Sequence, residues 1–293
     1  MSCSRSYKSA GLLTIAISCL CLFSAASFAQ TQASCTFSYF NPPSGYIGGL
    51  YPDGINHYGT VVGAAYRDTG NYATSFIRYS DGSTTLFKVP NAAWTELHKR
   101  NLNGTSVGAY GSTSASVPPN GVGSKGLILT ASSYSTVNFP GAIGTSLNGI
   151  NKWNTIVGSA VDPNTKLTFA FRYQKGVFTK IAFPGSVQST AYAINDNGII
   201  VGSYQKGTTW YGYTLKNGTN TFTSLNYLPI DINNSGAIVA AGSRIYYPDG
   251  SIKVVYVPGS ANTYVQGIND LGILTGGASW GTLEFQGFTA VCH

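Results

Sequence analysis

The chain has 293 residues with a formal net charge of +7 at pH 7, and only 9% of its residues are charged. The longest basic run, His98-Lys99-Arg100, is not followed by a basic stripe with interleaved aromatics, which argues against a nucleic-acid-binding surface. We expect the excess of basic residues to lie on a solvated surface.

Residues 1–29 have the features of a secretory signal peptide. Two basic residues precede an apolar run from Gly11 to Phe23, and Ser27-Phe28-Ala29 is a small-residue cleavage sequence. The apolar run is too short for a transmembrane helix. We therefore expect a secreted, extracellular chain that starts near Gln30. A periplasmic protein, or a surface lipoprotein lipidated at Cys19, is the alternative.

Residues 30–293 are predicted to form one all-β domain. Gly, Ser, Thr, Asn and Tyr are abundant in this part of the chain, whereas strong helix formers are scarce. This composition fits half-buried strands that are joined by tight turns.

A phrase centred on asparagine recurs six times along the domain, for example Ala-Ile-Asn-Asp-Asn-Gly-Ile-Ile-Val-Gly at residues 193–202. The second copy is two residues shorter than the others in this alignment. The spacing of 36 to 48 residues is typical of propeller blades or solenoid repeats. The copies centre on Asn56, Asn103, Asn151, Asn195, Asn233 and Asn269.

Each repeat contains four short strand patterns, with turn signals such as Asp81-Gly82 and Asp249-Gly250 between the third and the fourth. Four strands at this period predict a six-bladed β-propeller made of four-stranded antiparallel blades. The repeat asparagine suits a tight turn, because its side chain bonds to local backbone, and the glycine that follows accepts a positive φ.

The two ends of the domain predict how the ring closes. The sixth copy stops after its third strand, and residues 35–45 match the missing fourth strand. An N-terminal strand that completes the last blade would remove the exposed sheet edges of an open array. Cys35 and Cys292 would then flank the gap, and in an oxidising compartment we expect them to form a disulfide.

The phrase resembles the tandem motif of the HAF-repeat, or "probable extracellular repeat", family of secreted proteins. That motif has the form Gly-Ile-Asn-x-x-Gly-x-Ile-Val-Gly followed by an aromatic strand, and the resemblance covers the whole domain. It implies a secreted β-propeller-like fold. It implies no general reaction and assigns no catalytic residues.

Candidate catalytic and metal-binding residues are sparse. The histidines His57, His98 and His293 are predicted in a turn, a polar loop and the chain end, and Glu96 and Glu284 alone do not suggest the paired carboxylates of a glycosidase. The acidic residues near the phrase suit turns better than a calcium site, which needs several carboxylates. We expect no enzyme, no metal and no cofactor. The acidic residues near the phrase are Asp53, Asp196, Asp231 and Asp270.

A ligand-binding surface is predicted on the face that carries the loops between second and third strands and the connections between blades. The longest loops, at residues 64–75, 109–126 and 159–168, share this face with three tryptophans. Aromatic rings with few charges suit neutral glycans or a protein partner. The predicted ligand-binding residues are Trp94, Trp210, Tyr211 and Trp280, with Tyr66, Arg67, Asp68 and Tyr72 from a second loop.

The sequence thus predicts a monomeric, non-catalytic recognition module of the extracellular space that binds a glycan or a protein. The alternatives are an extracellular polysaccharide hydrolase or lyase with a site at the channel mouth, and a structural component of the envelope or matrix.

Overall fold

The fold is that of a computed structural model, which describes residues 30–67, 73–112, 121–219, 221–281 and 285–293. These residues contain 25 β-strands and no α-helix. The strands form six sheets, and the innermost strand of each sheet contacts those of both neighbouring sheets. The sheets therefore surround a central channel as a six-bladed β-propeller, as the repeats predict.

Blades 1 to 4 each consist of four consecutive antiparallel strands, and blades 5 and 6 also take up the first two strands of the chain. The first two strands are β1 (Gln30–Gln32) and β2 (Cys35–Phe40). Blade 1 contains β3 (Leu50–Ile55), β4 (Val61–Tyr66), β5 (Ala73–Arg78) and β6 (Thr84–Phe87). Blade 2 contains β7 (Trp94–Arg100), β8 (Ser106–Gly111), β9 (Lys125–Leu129) and β10 (Tyr134–Thr136). Blade 3 contains β11 (Gly144–Ile150), β12 (Ile156–Val161), β13 (Thr168–Gln174) and β14 (Val177–Ile181).

The remaining strands follow the same order from the channel outward. Blade 4 contains β15 (Gln188–Ile194), β16 (Ile199–Lys206), β17 (Thr209–Lys216) and β18 (Phe222–Leu225). Blade 5 contains β19 (Pro229–Ile232), β20 (Ile238–Ala240), β21 (Arg244–Tyr246) and β22 (Ile252–Val254). Blade 6 contains β23 (Asn262–Ile268), β24 (Leu274–Ser279) and β25 (Gln286–Cys292).

Burial decreases from the inner strands to the rim of a blade. In blade 1 every residue of β4 is buried, whereas three of the four residues of β6 are exposed. The apolar pair of each phrase lies on the second strand and packs between neighbouring sheets. Val107 of blade 2, for example, packs with Leu147 and Phe171 of blade 3. The hydrophobic core is therefore a set of layers between blades.

The strand β2 closes the ring in the predicted way. It pairs antiparallel with β25, and Cys35 lies opposite Cys292 in the register. The two cysteines form a disulfide with a Cα–Cα distance of 4.0 Å. Gly287 makes room for this pairing, because a Cβ atom there would lie 2.2 Å from the ring of Phe40. The N-terminal strand thus completes blade 6.

The strand β1 is a feature that the repeat pattern does not predict. It pairs in parallel with β22 and forms a fifth strand at the outer edge of blade 5. Its three residues are exposed, so backbone hydrogen bonds rather than side-chain burial hold it there.

The second repeat is complete, and its predicted alignment on Asn103 is wrong. The backbone N–H of Asn101 bonds to the carbonyl oxygen of Thr105, as that of Asn56 bonds to Thr60. Aligned on Asn101, the second copy has the same length as the others. The sequence Asn-Leu-Asn offers two asparagines, and the hydrogen bonds show which of them starts the turn.

Candidate functional site

The two ends of the propeller carry different connections between strands. The turn face carries the turns between first and second strands, at residues 56–60, 101–105, 151–155, 195–199, 233–237 and 269–273. The loop face is the opposite end, with the second-to-third-strand loops and the connections between blades. Each innermost strand runs from the loop face to the turn face.

The repeat asparagines form a closed circle at the turn face, the Asn ring. The Nδ2 atom of each asparagine donates to the backbone carbonyl of the equivalent asparagine in the next blade, at 3.0 to 3.4 Å. All six side chains are buried. The members are Asn56, Asn101, Asn151, Asn195, Asn233 and Asn269.

The other end of each amide serves its own turn. The Oδ1 atom of Asn56 accepts the backbone N–H groups of Tyr58 and Thr60, both at 3.0 Å. One side chain thus shapes its own turn and ties its blade to the next, which confirms the predicted turn role. Within the described part of the chain, no three His, Cys, Asp or Glu side chains are grouped so that they could hold a metal ion.

The channel is narrow at the turn face. A cavity of about 80 Å³ lies there, and residues of the Asn ring from all six blades line it. Small-molecule sites usually occupy about 300–1,000 Å³. This end of the channel therefore has room for a few water molecules but not for an organic ligand.

Lys99 and Asp231 form an ion pair in the channel, the axial bridge. They lie in blades 2 and 5, which are opposite each other in a ring of six, and both side chains are largely buried. The N–H of Ile268 donates to the same Asp231 carboxylate at 2.9 Å. Burial raises the pKa of Asp231, and the charge of Lys99 partly offsets that rise.

The axial bridge corrects the expectation for His98-Lys99-Arg100. The three residues lie on the innermost strand β7 and not on a solvated surface or in a polar loop. His98 is buried, and Arg100 is half-buried and donates to the hydroxyl of Ser106 at 2.9 Å. Three consecutive basic residues fit in this strand because its bulge at His98 re-aims neighbouring side chains and Asp231 balances the Lys99 charge.

Tyr66, Glu96 and His98 form a second buried group, the blade-2 cluster, between the axial bridge and the loop face. His98 Nδ1 lies 2.9 Å from the carbonyl oxygen of Leu147, so this nitrogen carries the proton and donates it. His98 Nε2 lies 3.7 Å from Glu96 Oε2. The hydroxyl of Tyr66 donates to Glu96 Oε1 at 2.6 Å. A carboxylate and an imidazole nitrogen thus lie side by side.

The repeats show which of these groups the fold requires. A position that the scaffold fixes carries similar residues in every blade, whereas other positions vary from blade to blade. Five residues before the Asn ring, the blades carry in order Tyr51, Glu96, Ser146, Thr190, Leu228 and Tyr264. Two residues before it, they carry Gly54, Lys99, Gly149, Ala193, Asp231 and Gly267.

Small residues prevail at the second of these positions because the innermost strands crowd together there. A Cβ atom on Gly54 would lie 2.6 Å from the carbonyl oxygen of His98. Charged residues replace small ones only in blades 2 and 5. In a chain with few charges, Lys99 and Asp231 are therefore residues that the repeat alone does not explain, whereas Glu96 occupies a position that varies between blades.

Two of the predicted ligand-binding residues are packing residues. Trp94 is the first residue of β7 rather than part of a blade connection, and it is 2% exposed. It packs with Tyr66 between blades 1 and 2, where Gly111 leaves space for the indole. The indole N–H of Trp94 has no hydrogen-bond partner among the described residues.

The other predicted residues lie on separate blades. Trp210 and Tyr211 belong to β17 rather than to a loop, and Tyr211 stacks on Tyr204 with 5.4 Å between ring centroids. Trp280 follows β24 in blade 6, is 47% exposed and contacts the ring of Tyr39.

Of the second predicted loop, only part is described. Arg67 is exposed and lies over the ring of Tyr46. Asp68 and Tyr72 lie outside the described residues. The described members of the predicted set are therefore distributed around the ring and do not form one cluster.

Comparison with known proteins supports the fold. No protein-family model matches the chain, and no curated protein matches it. A gluconolactonase from Xanthomonas campestris superposes with a TM-score of 0.54 at 10% identity, over 85% of this chain and 88% of that chain. A structural-genomics target assigned to the gluconolactonases has a TM-score of 0.51 at 14% identity, over 86% of this chain and 94% of that chain.

At these identities the likeness shows a β-propeller and nothing about chemistry. Among the described residues, no helix is long and apolar enough to cross a bilayer.

Proposed function

We propose that the protein is a secreted, non-catalytic recognition module that binds a neutral extracellular glycan at the loop end of its channel. The observation that carries this proposal is the asymmetry of the channel. The Asn ring and the axial bridge occupy the turn end, whereas the blade-2 cluster lies on the loop side of the bridge.

Aromatic rings at the loop end suit such a ligand. Tyr51 and Tyr264, which both lie five residues before the Asn ring, stack with 6.1 Å between their ring centroids and are half-buried. Tyr211 and Trp280 are 37% and 47% exposed on blades 4 and 6. Sugar C–H faces pack on such rings, and carboxylates and amides accept the hydroxyl protons. Glu96 lies on this side of the axial bridge, where its carboxylate accepts the hydroxyl proton of Tyr66.

Two further features support a role outside the cell. Residues 1–29 have the pattern of a signal peptide, and Cys35 and Cys292 are bonded as an oxidising compartment allows. Membership of the HAF-repeat family, which the phrase suggests, is consistent with an extracellular location and is part of the proposal.

The test is binding of the purified protein to an array of neutral polysaccharides. Wild type is expected to bind a defined subset, and the Tyr211→Ala/Trp280→Ala variant is expected to lose that binding. Tyr134→Ala is the matched control, because Tyr134 is 41% exposed but lies on the outermost strand β10. Equal loss in the control, or no loss in the double variant, would contradict the proposal.

A second candidate function is hydrolysis at the same end of the channel. The blade-2 cluster favours it, because Glu96 and His98 Nε2 lie side by side, as the two members of a general acid–base pair do. Extracellular polysaccharides are the substrates to assay. Turnover that disappears in both Glu96→Gln and His98→Gln would favour this function over simple binding.

A further inference from the structure

The turn of blade 3 combines an exposed tryptophan with a departure from the repeat at the next residue. Trp153 stands where the other blades carry residues of several kinds, and Asn154 replaces a glycine. Asn154 has a φ of 57°, in the left-handed region that the glycines also occupy. The equivalent residues of the other blades are Gly59, Gly104, Gly198, Gly236 and Gly272.

Asn154 supplies a contact that glycine cannot make. Its Oδ1 accepts a hydrogen bond from Nδ2 of Asn101 at 2.8 Å, in addition to the Asn ring bond of that amide. The turn that carries Trp153 is therefore tied to blade 2 by a side-chain bond. This tie holds the base of the indole in place.

The indole of Trp153 is held from several sides and yet is 64% exposed. Its Nε1–H donates to the carbonyl oxygen of Asp196 in blade 4 at 3.2 Å. The backbone N–H of Trp153 donates to Oδ1 of Asn151 at 3.1 Å. The ammonium of Lys152 lies 4.9 Å from the ring centroid. One face of the ring thus meets a cation, while most of the side chain remains in solvent.

Packing does not account for a tryptophan at this position. A ring that contributes to the core is removed from water, as Trp94 is, whereas Trp153 leaves most of its apolar surface exposed. The turn does not need it, since Asn103, Asn197 and Ser235 occupy the same position in other blades. A fixed, exposed aromatic ring loses little conformational entropy when it binds a ligand.

The groups around the indole are polar and balanced in charge. Asn103 and Asn197, at the equivalent positions of blades 2 and 4, take part in cross-blade hydrogen bonds to the carbonyl oxygens of Lys152 and Asn234. Lys152 lies 3.9 Å from the carboxylate of Asp196. An aromatic plane between amides, without net charge, matches the C–H face and hydroxyl groups of a neutral sugar ring.

We propose that Trp153 is the platform of a second glycan-binding site, on the turn face, which takes one sugar ring of a neutral polysaccharide. The site is separate from the loop end of the channel, because the axial bridge and the Asn ring lie between them. Other exposed apolar side chains toward this end include Tyr58 and Leu271, in blades 1 and 6, and Val177 beside the β13–β14 turn of blade 3. A single ring among polar groups suits one sugar better than a protein interface, which needs about 1,200 Å² or more.

Affinity electrophoresis in gels that contain xyloglucan, galactomannan or a soluble β-glucan tests the site. Wild type is expected to be retarded by at least one of these polymers, and Trp153→Ala to show an apparent Kd about 10-fold higher or more. Trp153→Phe, which keeps a ring, is expected to stay within a few-fold of wild type. Tyr58→Ala is the control, because Tyr58 is equally exposed on the same face.

Three results would overturn the site. The first is a Trp153→Ala variant that the gels retard as strongly as wild type, including the case in which only Trp280→Ala loses binding. The second is no retardation of wild type by any of the three polymers. The third is a Trp153→Ala variant that turns a dimer into a monomer in size-exclusion chromatography, since the ring would then contact a second copy. Thermal unfolding of each variant confirms that it is folded.

Discussion

Lys99 and Asp231 meet across the channel although 132 residues separate them along the chain, because blades 2 and 5 face each other in the ring. Charges are costly to transfer from water into the protein interior, and the attraction between two opposite charges offsets that cost only when both charges are present. The axial bridge is thus both a contact between opposite blades and a plug in the channel.

Removal of one partner of the axial bridge is expected to be more harmful than removal of both. Lys99→Met or Asp231→Leu alone should lower the free energy of unfolding by about 3–5 kcal/mol, because each leaves a buried charge without its partner. The double variant should recover most of the loss. Urea unfolding of the four proteins measures this cycle, and additive losses would contradict the pairing.

The acidity of Asp231 gives a prediction about pH. Burial raises the pKa of Asp231 above its ordinary value of 3.8, so the folded state holds this proton when the unfolded state has already lost it. The contribution of Asp231 to the free energy of unfolding is therefore greatest below pH 3.8. It falls as the pH rises through the pKa that Asp231 has in the folded state. Unfolding of wild type and Asp231→Asn at several pH values measures it. The free energy of unfolding of wild type minus that of Asp231→Asn should decrease as the pH rises. A difference that stays constant with pH would contradict the raised pKa of Asp231.

The two roles of the Asn ring can be separated at Asn195. Its Oδ1 accepts the N–H of Ile199 at 2.8 Å, and its Nδ2 donates to the carbonyl oxygen of Asn233 at 3.0 Å. Asn195→Ala loses both bonds and should cost about 2–4 kcal/mol of unfolding free energy. Asn195→Asp keeps the acceptor for the turn but places a carboxylate against a carbonyl oxygen. It should also be destabilising, and a wild-type stability for Asn195→Asp would show that the ring bond contributes nothing.

The disulfide closes nearly the whole domain into one loop. Cys35 and Cys292 are 257 residues apart in the chain, and loop entropy predicts about 5 kcal/mol of stabilisation for such a cross-link. Cys35→Ser/Cys292→Ser should unfold at a lower temperature than wild type while retaining the propeller fold, because β2 still pairs with β25. Circular dichroism against temperature measures both. An unchanged midpoint would show that strand pairing alone closes the ring.

The sequence predicts the fold well because every blade repeats the same local pattern of strands and turns. The asparagine, the turn glycine and the apolar pair each have a local physical role, so their period indicates the number of blades. The strand β1 has no such signature, because Gln30–Gln32 is polar and exposed and is held through its backbone.

The channel residues were harder to predict, for a specific reason. Lys99 and Asp231 occupy the same position of the phrase, two residues before the Asn ring, once the second copy is aligned on Asn101. Alignment on Asn103 hides this equivalence. With the correct alignment, opposite charges in the second and fifth of six repeats would have indicated a contact across the axis. The positions of Trp94 and Tyr66 depend on packing between blades, which the phrase does not specify.

Binding of a glycan at the loop end of the channel is tested most directly by one titration. The glycan selected on the array is titrated into wild type, Glu96→Gln/Trp280→Ala and the control Tyr134→Ala by isothermal calorimetry. We expect the Kd to rise about 10-fold or more in the loop-end variant and to remain unchanged in the control. Wild-type affinity in the Glu96→Gln/Trp280→Ala protein, with its fold intact, would contradict binding at the loop end of the channel.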